Sequence, residues 1–199
     1  NISFTTIGSA TTSTYSATNL TATTYYRVIV TSGVCAADTS SSSTMAVSPI
    51  SVAGSISGAS TVCSGTNSTL LTLSGNTGTI QWQSSSDNSV FSDIGSATNS
   101  TYTASNLTTT TYYRAVVTSG VCASDTTASV TVTVSPATVL GTITGATTVC
   151  SGTNATTLTL GGSTGSIQWQ SSSDNISFTT IGSATTSTYS ATNLTATTY

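Results

Sequence analysis

The sequence predicts an all-β protein built from tandem repeats, and three observations support this prediction. Apolar residues alternate with small polar residues in nearly every segment, which is typical of half-buried strands and not of helices. Short turn signals that contain Gly separate these segments at close intervals. The sequence of residues 1–25 also recurs without change at 175–199, and a diverged copy of it covers 88–112.

The three copies begin at positions 1, 88 and 175, so the repeat period is 87 residues. We therefore expect the C-terminal part of one repeat at 1–49, a complete repeat at 50–136 and the N-terminal part of the next at 137–199. Because the sequence starts inside a repeat and without Met, we expect it to be a window from a longer array, with any export signal or anchor outside it.

Comparison between the repeats predicts which side chains face the core. Leu71 and Leu73 recur one period later, whereas Leu70 is replaced by Thr157, so we expect the first two to point inward and Leu70 to face water. The segment TTTTYYRAVV separates into two faces in the same way. The recurring aromatic residues are the predicted core anchors: Trp82, Trp169, Tyr113 and Tyr26.

About seven short strands in one period, with a buried Trp on the third, fit an immunoglobulin-like or fibronectin-type β-sandwich. Leu107 stands six residues before Tyr113, at the corner that leads into the sixth predicted strand. This placement resembles the tyrosine corner of such sandwiches, in which the Tyr hydroxyl bonds to nearby backbone.

The four cysteines occupy two equivalent positions in each period. An even number per repeat, in a chain without His that looks exported, predicts disulfides and not zinc. We favour a bridge from Cys63 to Cys122 within the complete repeat, with Cys35 and Cys150 pairing outside this sequence. Closing so long a loop would stabilise the repeat by about 4 kcal/mol in the chain-entropy model. The alternative pairs Cys35 with Cys63 and Cys122 with Cys150, which would link neighbouring repeats.

The composition excludes several classes of function. The only charged side chains are five Asp, Arg27 and Arg114, for a net charge of −3, which is too little basic charge to bind nucleic acid. No apolar run is long enough for membrane insertion. Without His, Lys or Glu the serines have no activating base, so we expect no catalytic residues, no metal site and no cofactor.

Some weaker signals have ordinary explanations. Asp87 and Asp174 lie in the loops SSSDNS and SSSDNI, where we expect them to cap backbone amides and not to bind calcium. Triplets of the type Asn-x-Ser/Thr, including one at Asn67, arise by chance in a chain so rich in Ser and Thr. Tyr112 and Tyr25 are possible surface-binding residues, although cross-strand packing is the expected role of both.

The motifs TVCSGT, IQWQSSSDN and TTYYRAVVTSGVC, followed by VTVTV, resemble the Ig-like repeats of giant cell-surface adhesins that gliding Bacteroidetes export by the type IX secretion system. The resemblance covers the whole chain. It implies an extracellular filament at the cell surface that mediates attachment and gliding motility.

The implied partners are neighbouring repeats of the same chain, the cell-envelope export and motility machinery through regions outside this sequence, and surface polysaccharide or the substratum. The alternatives are repeats that bind polysaccharide themselves, and a spacer array in a secreted multidomain enzyme.

Overall fold

The structure is a computed structural model that describes residues 3–199, and this part of the chain contains strands and no helix. The predicted all-β class is therefore confirmed. Within the described residues, no helix is long and apolar enough to cross a membrane. The chain forms two compact units, one comprising Asn1–Gly58, Leu71–Tyr102 and Tyr112–Val130, the other Ala59–Leu70, Thr103–Thr111 and Thr131–Tyr199.

Short strands cover the two ends of the chain. Those before residue 50 are β1 (Thr24–Tyr26), β2 (Ile29–Val30), β3 (Asp38–Thr39) and β4 (Ser43–Met45). Those after residue 136 are β14 (Thr142–Thr144), β15 (Ala155–Gly161), β16 (Gln170–Ser171), β17 (Thr179–Thr180) and β18 (Thr188–Thr192).

Residues 50–136 contain nine strands, and not about seven. They are β5 (Ser55–Ser57), β6 (Thr61–Cys63), β7 (Ser68–Ser74), β8 (Thr79–Ser85), β9 (Ser92–Asp93), β10 (Thr101–Ser105), β11 (Thr111–Thr118), β12 (Asp125–Thr126) and β13 (Val130–Ser135). Trp82 lies on β8, the fourth of these strands, so its predicted place on the third was wrong. The short strands β9 and β12 have two residues each, too few to show a period in the sequence.

The strands of this region form two sheets. One has the order β10-β7-β5, and the other has the order β6-β13-β11-β8-β9 with β12 also pairing with β11. The pairs β5–β7, β8–β9, β8–β11 and β11–β12 are antiparallel, whereas β6 and β13 are parallel. This arrangement is β-sandwich-like.

Alternate residues along the strands point inward, and their apolar side chains form a buried core. Leu71, Trp82 and Val117 are fully buried, and Leu73 is nearly so, whereas Leu70 is 55% exposed. The structure thus agrees with the faces that the comparison between repeats predicts. Burying each of these apolar side chains contributes about 1.5–3 kcal/mol relative to leaving it in water.

Aromatic rings pack together beside Trp82. The Tyr102 ring lies 5.9 Å from the Trp82 ring and 5.6 Å from the ring of Tyr113, which is buried. These spacings are within the range in which aromatic pairs attract each other. The tyrosine-corner hydrogen bond of Tyr113 stays a prediction. Equivalent ring pairs occur one period away on either side: Tyr15 with Tyr26 at 5.7 Å and Trp169 with Tyr189 at 5.8 Å.

Candidate functional site

The acidic side chains lie in separate loops and strand ends. Among residues 3–199, no group of three or more His, Cys, Asp or Glu is placed to hold a metal ion. Asp93 accepts a hydrogen bond of 2.7 Å from the Gln83 side chain, while Asp87 is bound within its own loop. These two carboxylates therefore have local structural roles.

Asp87 organises the loop that follows β8. Its Oδ1 accepts hydrogen bonds from the Ser89 and Val90 amides at 2.8 and 3.0 Å and from the Ser85 hydroxyl at 2.8 Å. Because these donors favour the ionised carboxylate, the pKa of Asp87 is lowered, with the Ser89 amide the largest cause.

The equivalent loop one period later has the same construction. Amides of Ser177 and Ile176, then the Ser172 hydroxyl, lower the pKa of Asp174 to about 2. In both loops the carboxylate of the sequence SSSDN caps the turn by accepting bonds from backbone amides.

The outer face of the larger sheet carries a connected set of polar and aromatic side chains. Arg114 lies opposite Gln83 in the register of β11 and β8, and its Nε donates to Gln83 Oε1 over 2.7 Å. The guanidinium carbon stands 4.0 Å from the centre of the Phe91 ring, a cation–π contact. Since Gln83 also binds Asp93, these groups satisfy one another.

Tyr112 and Tyr25, the two possible surface-binding residues, differ in their exposure to solvent. Tyr112 is half-buried and stands opposite Ser85 in the sheet, whereas Tyr25 is 41% exposed. Tyr25 lines a cavity of about 700 Å³ together with Phe4, Tyr15 and Tyr26. One period later the equivalents of Tyr15 and Tyr26, which are Tyr102 and Tyr113, pack together beside buried Trp82.

The core anchors differ in their burial. Trp82 is fully buried, and its Nε1–H donates to the carbonyl of Asn99 over 2.8 Å. Trp169 is 7% exposed and makes the equivalent bond to the Thr186 carbonyl at 2.9 Å. Tyr26, one period before Tyr113, is only half-buried.

The structure does not form the predicted disulfides. All four cysteines are free thiols, so neither the bridge Cys63–Cys122 nor the alternative pairs Cys35–Cys63 and Cys122–Cys150 are present. The first pair is separated because its members flank opposite ends of β11. Asn67 links the carbonyl of Cys63 to that of Leu107, shortly before β11 begins, whereas Cys122 follows its last residue.

The length of β11 gives the physical reason. Its eight residues span about 23 Å when extended. A disulfide requires Cα atoms within about 7 Å of each other. Spacing along the sequence could not reveal this distance.

Several contacts join residues 48–53, which we call the linker, to the TSGVC turn, residues 118–122. The Ser119 amide donates to the Ser51 hydroxyl over 2.9 Å, and the Cys122 sulfur lies 3.3 Å from the Pro49 carbonyl oxygen. The side chain of Ser48 lies so close to Gly120 that a Cβ there would overlap its hydroxyl. The linker is therefore docked against the TSGVC turn.

A carboxylate and a backbone bridge fix the end of the linker. Asp125 Oδ2 accepts a hydrogen bond of 2.9 Å from the Ala53 amide. Val52 exchanges two backbone hydrogen bonds with Thr77, and Val139 does the same with Thr164 in the next linker. Sequence reasoning missed this docking, although Gly120 and Asp125 both recur one period away, as Gly33 and Asp38.

Comparison with known proteins identifies the family. No curated protein matches the chain significantly. One protein family, described as a domain of unknown function (DUF8696), matches residues 1–49, 52–136 and 139–199. These matches cover nearly the whole chain, which therefore belongs to the DUF8696 family.

Proposed function

We propose that this chain is a structural segment of a long extracellular filament that mediates attachment at the cell surface and gliding motility. The docked linker is the observation that supports this proposal best. A linker without contacts would leave neighbouring repeats free to swing, whereas one bound at Pro49, Ser51 and Ala53 restrains them. In such an array the length of the filament grows with the number of repeats.

The surface chemistry suits a segment that extends and does not react. Two Arg and five Asp are its only charged side chains. On the outer face Arg114, Gln83 and Asp93 bind one another and leave little for a ligand. Ser and Thr hydrate the remaining surface without creating a strong field that would attract charged molecules.

The cellular part of the proposal rests on the motifs TVCSGT, IQWQSSSDN and TTYYRAVVTSGVC. They resemble repeats of gliding adhesins such as SprB, which the type IX secretion system exports. We accordingly propose an extracellular location, with the export and motility machinery as partners through other regions of the protein. The substratum or a surface polysaccharide would be contacted by the filament.

Intact cells of the source organism provide the test. Antibodies against the purified chain should label them without permeabilisation, and deletion of the gene should reduce attachment to glass and gliding. A strain with fewer internal repeats, but with both ends of the gene retained, should attach less well as repeats are removed. Labelling that requires permeabilisation, or attachment that ignores repeat number, would contradict the proposal.

Polysaccharide binding by the repeats is the weaker alternative because Tyr112 is half-buried and stands opposite Ser85. A glycan array separates the two functions. Saturable binding by the chain that is lost in Tyr112→Ala and kept in Tyr15→Ala would favour this alternative. For a spacer in a secreted enzyme, removing repeats should leave attachment unchanged.

A further inference from the structure

We propose that consecutive repeats are joined by a disulfide between the cysteine of the TVC segment of one repeat and the cysteine of the TSGVC turn of the next. Cys63 and Cys150 are the TVC cysteines, and Cys35 and Cys122 are the turn cysteines. This pairing differs from both pairings that the sequence suggests. It rests on the proposed array only in requiring that a further repeat follows.

The first observation concerns Cys63, at the end of β6. In the parallel pair of β6 and β13, Cys63 stands directly beside Ser135, and the Ser64 amide donates to the Ser135 carbonyl over 2.8 Å. Neighbouring strands lie about 4.8 Å apart. Residues in register on parallel strands point to the same face of the sheet, so the side chains of Cys63 and Ser135 share a face.

The second observation concerns Cys122, in the turn after β11. Its sulfur lies 3.3 Å from the Pro49 carbonyl oxygen and 3.7 Å from that of Ser48. A Cβ built on Gly120 would come within 2.8 Å of the Ser48 Cβ. The side chain of Ser48 therefore points at the turn that carries Cys122.

The two observations describe the same place in the repeating structure. Ser48-Pro49 and Ser135-Pro136 are equivalent, since they stand one period apart. A TVC cysteine beside Ser48, as Cys63 is beside Ser135, would share the face of the Ser48 side chain and point at the turn of Cys122. Both thiols would then lie against one Ser-Pro dipeptide, and a disulfide needs such proximity.

The bridge therefore crosses a junction between repeats. The partner of Cys63 is the turn cysteine of the following repeat, which stands one period beyond Cys122. Cys63 is exposed and Cys122 is half-buried, so an oxidant can reach both thiol positions. The bridge would fix the docked linker covalently.

The oxidation needs an external disulfide, for which oxidised glutathione serves. One cysteine thiolate attacks glutathione disulfide and releases one reduced glutathione. The second thiolate then attacks the mixed disulfide, forms the S–S bond and releases another. Both protein thiols lose their protons to solvent, and two electrons pass from them to the glutathione disulfide.

The test uses two proteins: the 199-residue chain, and two copies of it joined so that residues 175–199 of the first copy also serve as residues 1–25 of the second. Both are oxidised with glutathione disulfide at low protein concentration, and free thiols in the monomeric fraction are counted. The single chain should keep its four thiols. The joined chain should lose four of its eight.

Peptide mapping of the joined chain should find Cys63 of the first copy linked to Cys35 of the second, and Cys150 of the first linked to Cys122 of the second. Cys35→Ser in the second copy should free Cys63 of the first without changing the circular dichroism spectrum. This result depends on the junction and not on cellular location, so it stands or falls separately from the proposed function.

Other counts would overturn the proposal. A bridge within each repeat would leave two free thiols in the single chain and two in the joined chain. Pairing of Cys35 with Cys63 and of Cys122 with Cys150 would leave none in either. Eight free thiols in a folded, oxidised joined chain would show that the junction does not form a disulfide.

Discussion

Asn67 binds both backbone groups of Leu107, a residue 40 positions further along the chain. Its Nδ2 donates to the Leu107 carbonyl over 2.7 Å, and its Oδ1 accepts from the Leu107 amide at 3.0 Å. The same Nδ2 also donates to the carbonyl of Cys63 at 2.6 Å. Asn154 makes the equivalent pair of bonds to Leu194 at 2.7 and 2.9 Å. The Asn side chain thus ties the end of β6 to the approach to β11.

Replacing Asn67 by Ala should destabilise the protein by about 1–3 kcal/mol, because the partly buried Leu107 amide loses its acceptor and the carbonyls of Cys63 and Leu107 each lose a donor. Chemical denaturation followed by circular dichroism measures this change. Asn99→Ala is the matched control, since Asn99 is exposed and also begins an Asn-x-Ser/Thr triplet. Equal destabilisation by both variants would contradict the structural role of Asn67.

The same bonds bear on glycosylation. A glycan on Asn67 would be attached to the nitrogen that donates to Cys63 and Leu107. We therefore expect Asn67 to stay unmodified in the folded protein even where a glycosylating pathway acts on other triplets. Mass spectrometry of glycopeptides from such cells checks this, and quantitative modification at Asn67 with unchanged stability would contradict it.

Replacing Trp82 by Phe should cost about 2–4 kcal/mol, because the smaller ring leaves a cavity and the Asn99 carbonyl loses its donor. Trp82 is fully buried and shares its core with Leu71 and Val117. The measurement is the free energy of unfolding from urea titration. Trp169→Phe is the comparison variant, because it makes the same change of ring and removes the equivalent donor. Since Trp169 is 7% exposed, we expect a smaller loss in the free energy of unfolding there.

The sequence predicts the apolar faces better than the contacts that fix the loops. Alternation and recurrence place Leu71 and Leu73 inside and Leu70 outside because a strand has a period of two. Neither signal finds β9 or β12, since two residues show no period. The partner of the Trp82 indole is a backbone carbonyl, which every residue has, so no sequence pattern marks it.

Cysteine pairing shows a different limit. Equal spacing in each repeat reveals that Cys63 and Cys122 are equivalent to Cys150 and Cys35, but not at which end of β11 each one lies. The linker is similar: Ser51 and Ala53 look like ordinary linker residues until Ser119 and Asp125 are placed beside them. Contacts over about 70 residues depend on the fold, and a single sequence does not contain them.

Acid should weaken the loop after β8 through Asp87. Because its pKa is lowered in the folded protein, Asp87 contributes stability above its ordinary pKa of 3.8, and this contribution is lost as the pH falls through the folded value. Asp87→Asn should therefore flatten the fall in stability below pH 3.8. Urea midpoints measured across the acid range test this.

Asp174→Asn is the parallel variant, and the loss should extend to about pH 2, the folded pKa of Asp174. A wild-type acid transition that neither substitution changes would show that these two carboxylates do not contribute to it.

Gly120→Ala should release the linker from the TSGVC turn. Gly120 has a φ of 54°, which costs an L-residue about 1–2 kcal/mol, and an added Cβ would also overlap the Ser48 hydroxyl. Gly33 occupies the equivalent turn with a φ of 53° and nothing within 4 Å of its Cβ position. Gly33→Ala therefore carries the same backbone strain without the overlap.

Hydrogen exchange of backbone amides distinguishes the two variants. The Ser119 amide is held by Ser51 and the Ala53 amide by Asp125, so both should exchange several-fold faster in Gly120→Ala than in Gly33→Ala. The Trp82 amide, bonded within the core to the Ala97 carbonyl, should exchange alike in both variants and reports on global unfolding. If the Ser119 and Ala53 amides kept their protection in Gly120→Ala, the bonds to Ser51 and Asp125 would still hold the linker, and docking would not depend on the close approach of the turn to Ser48.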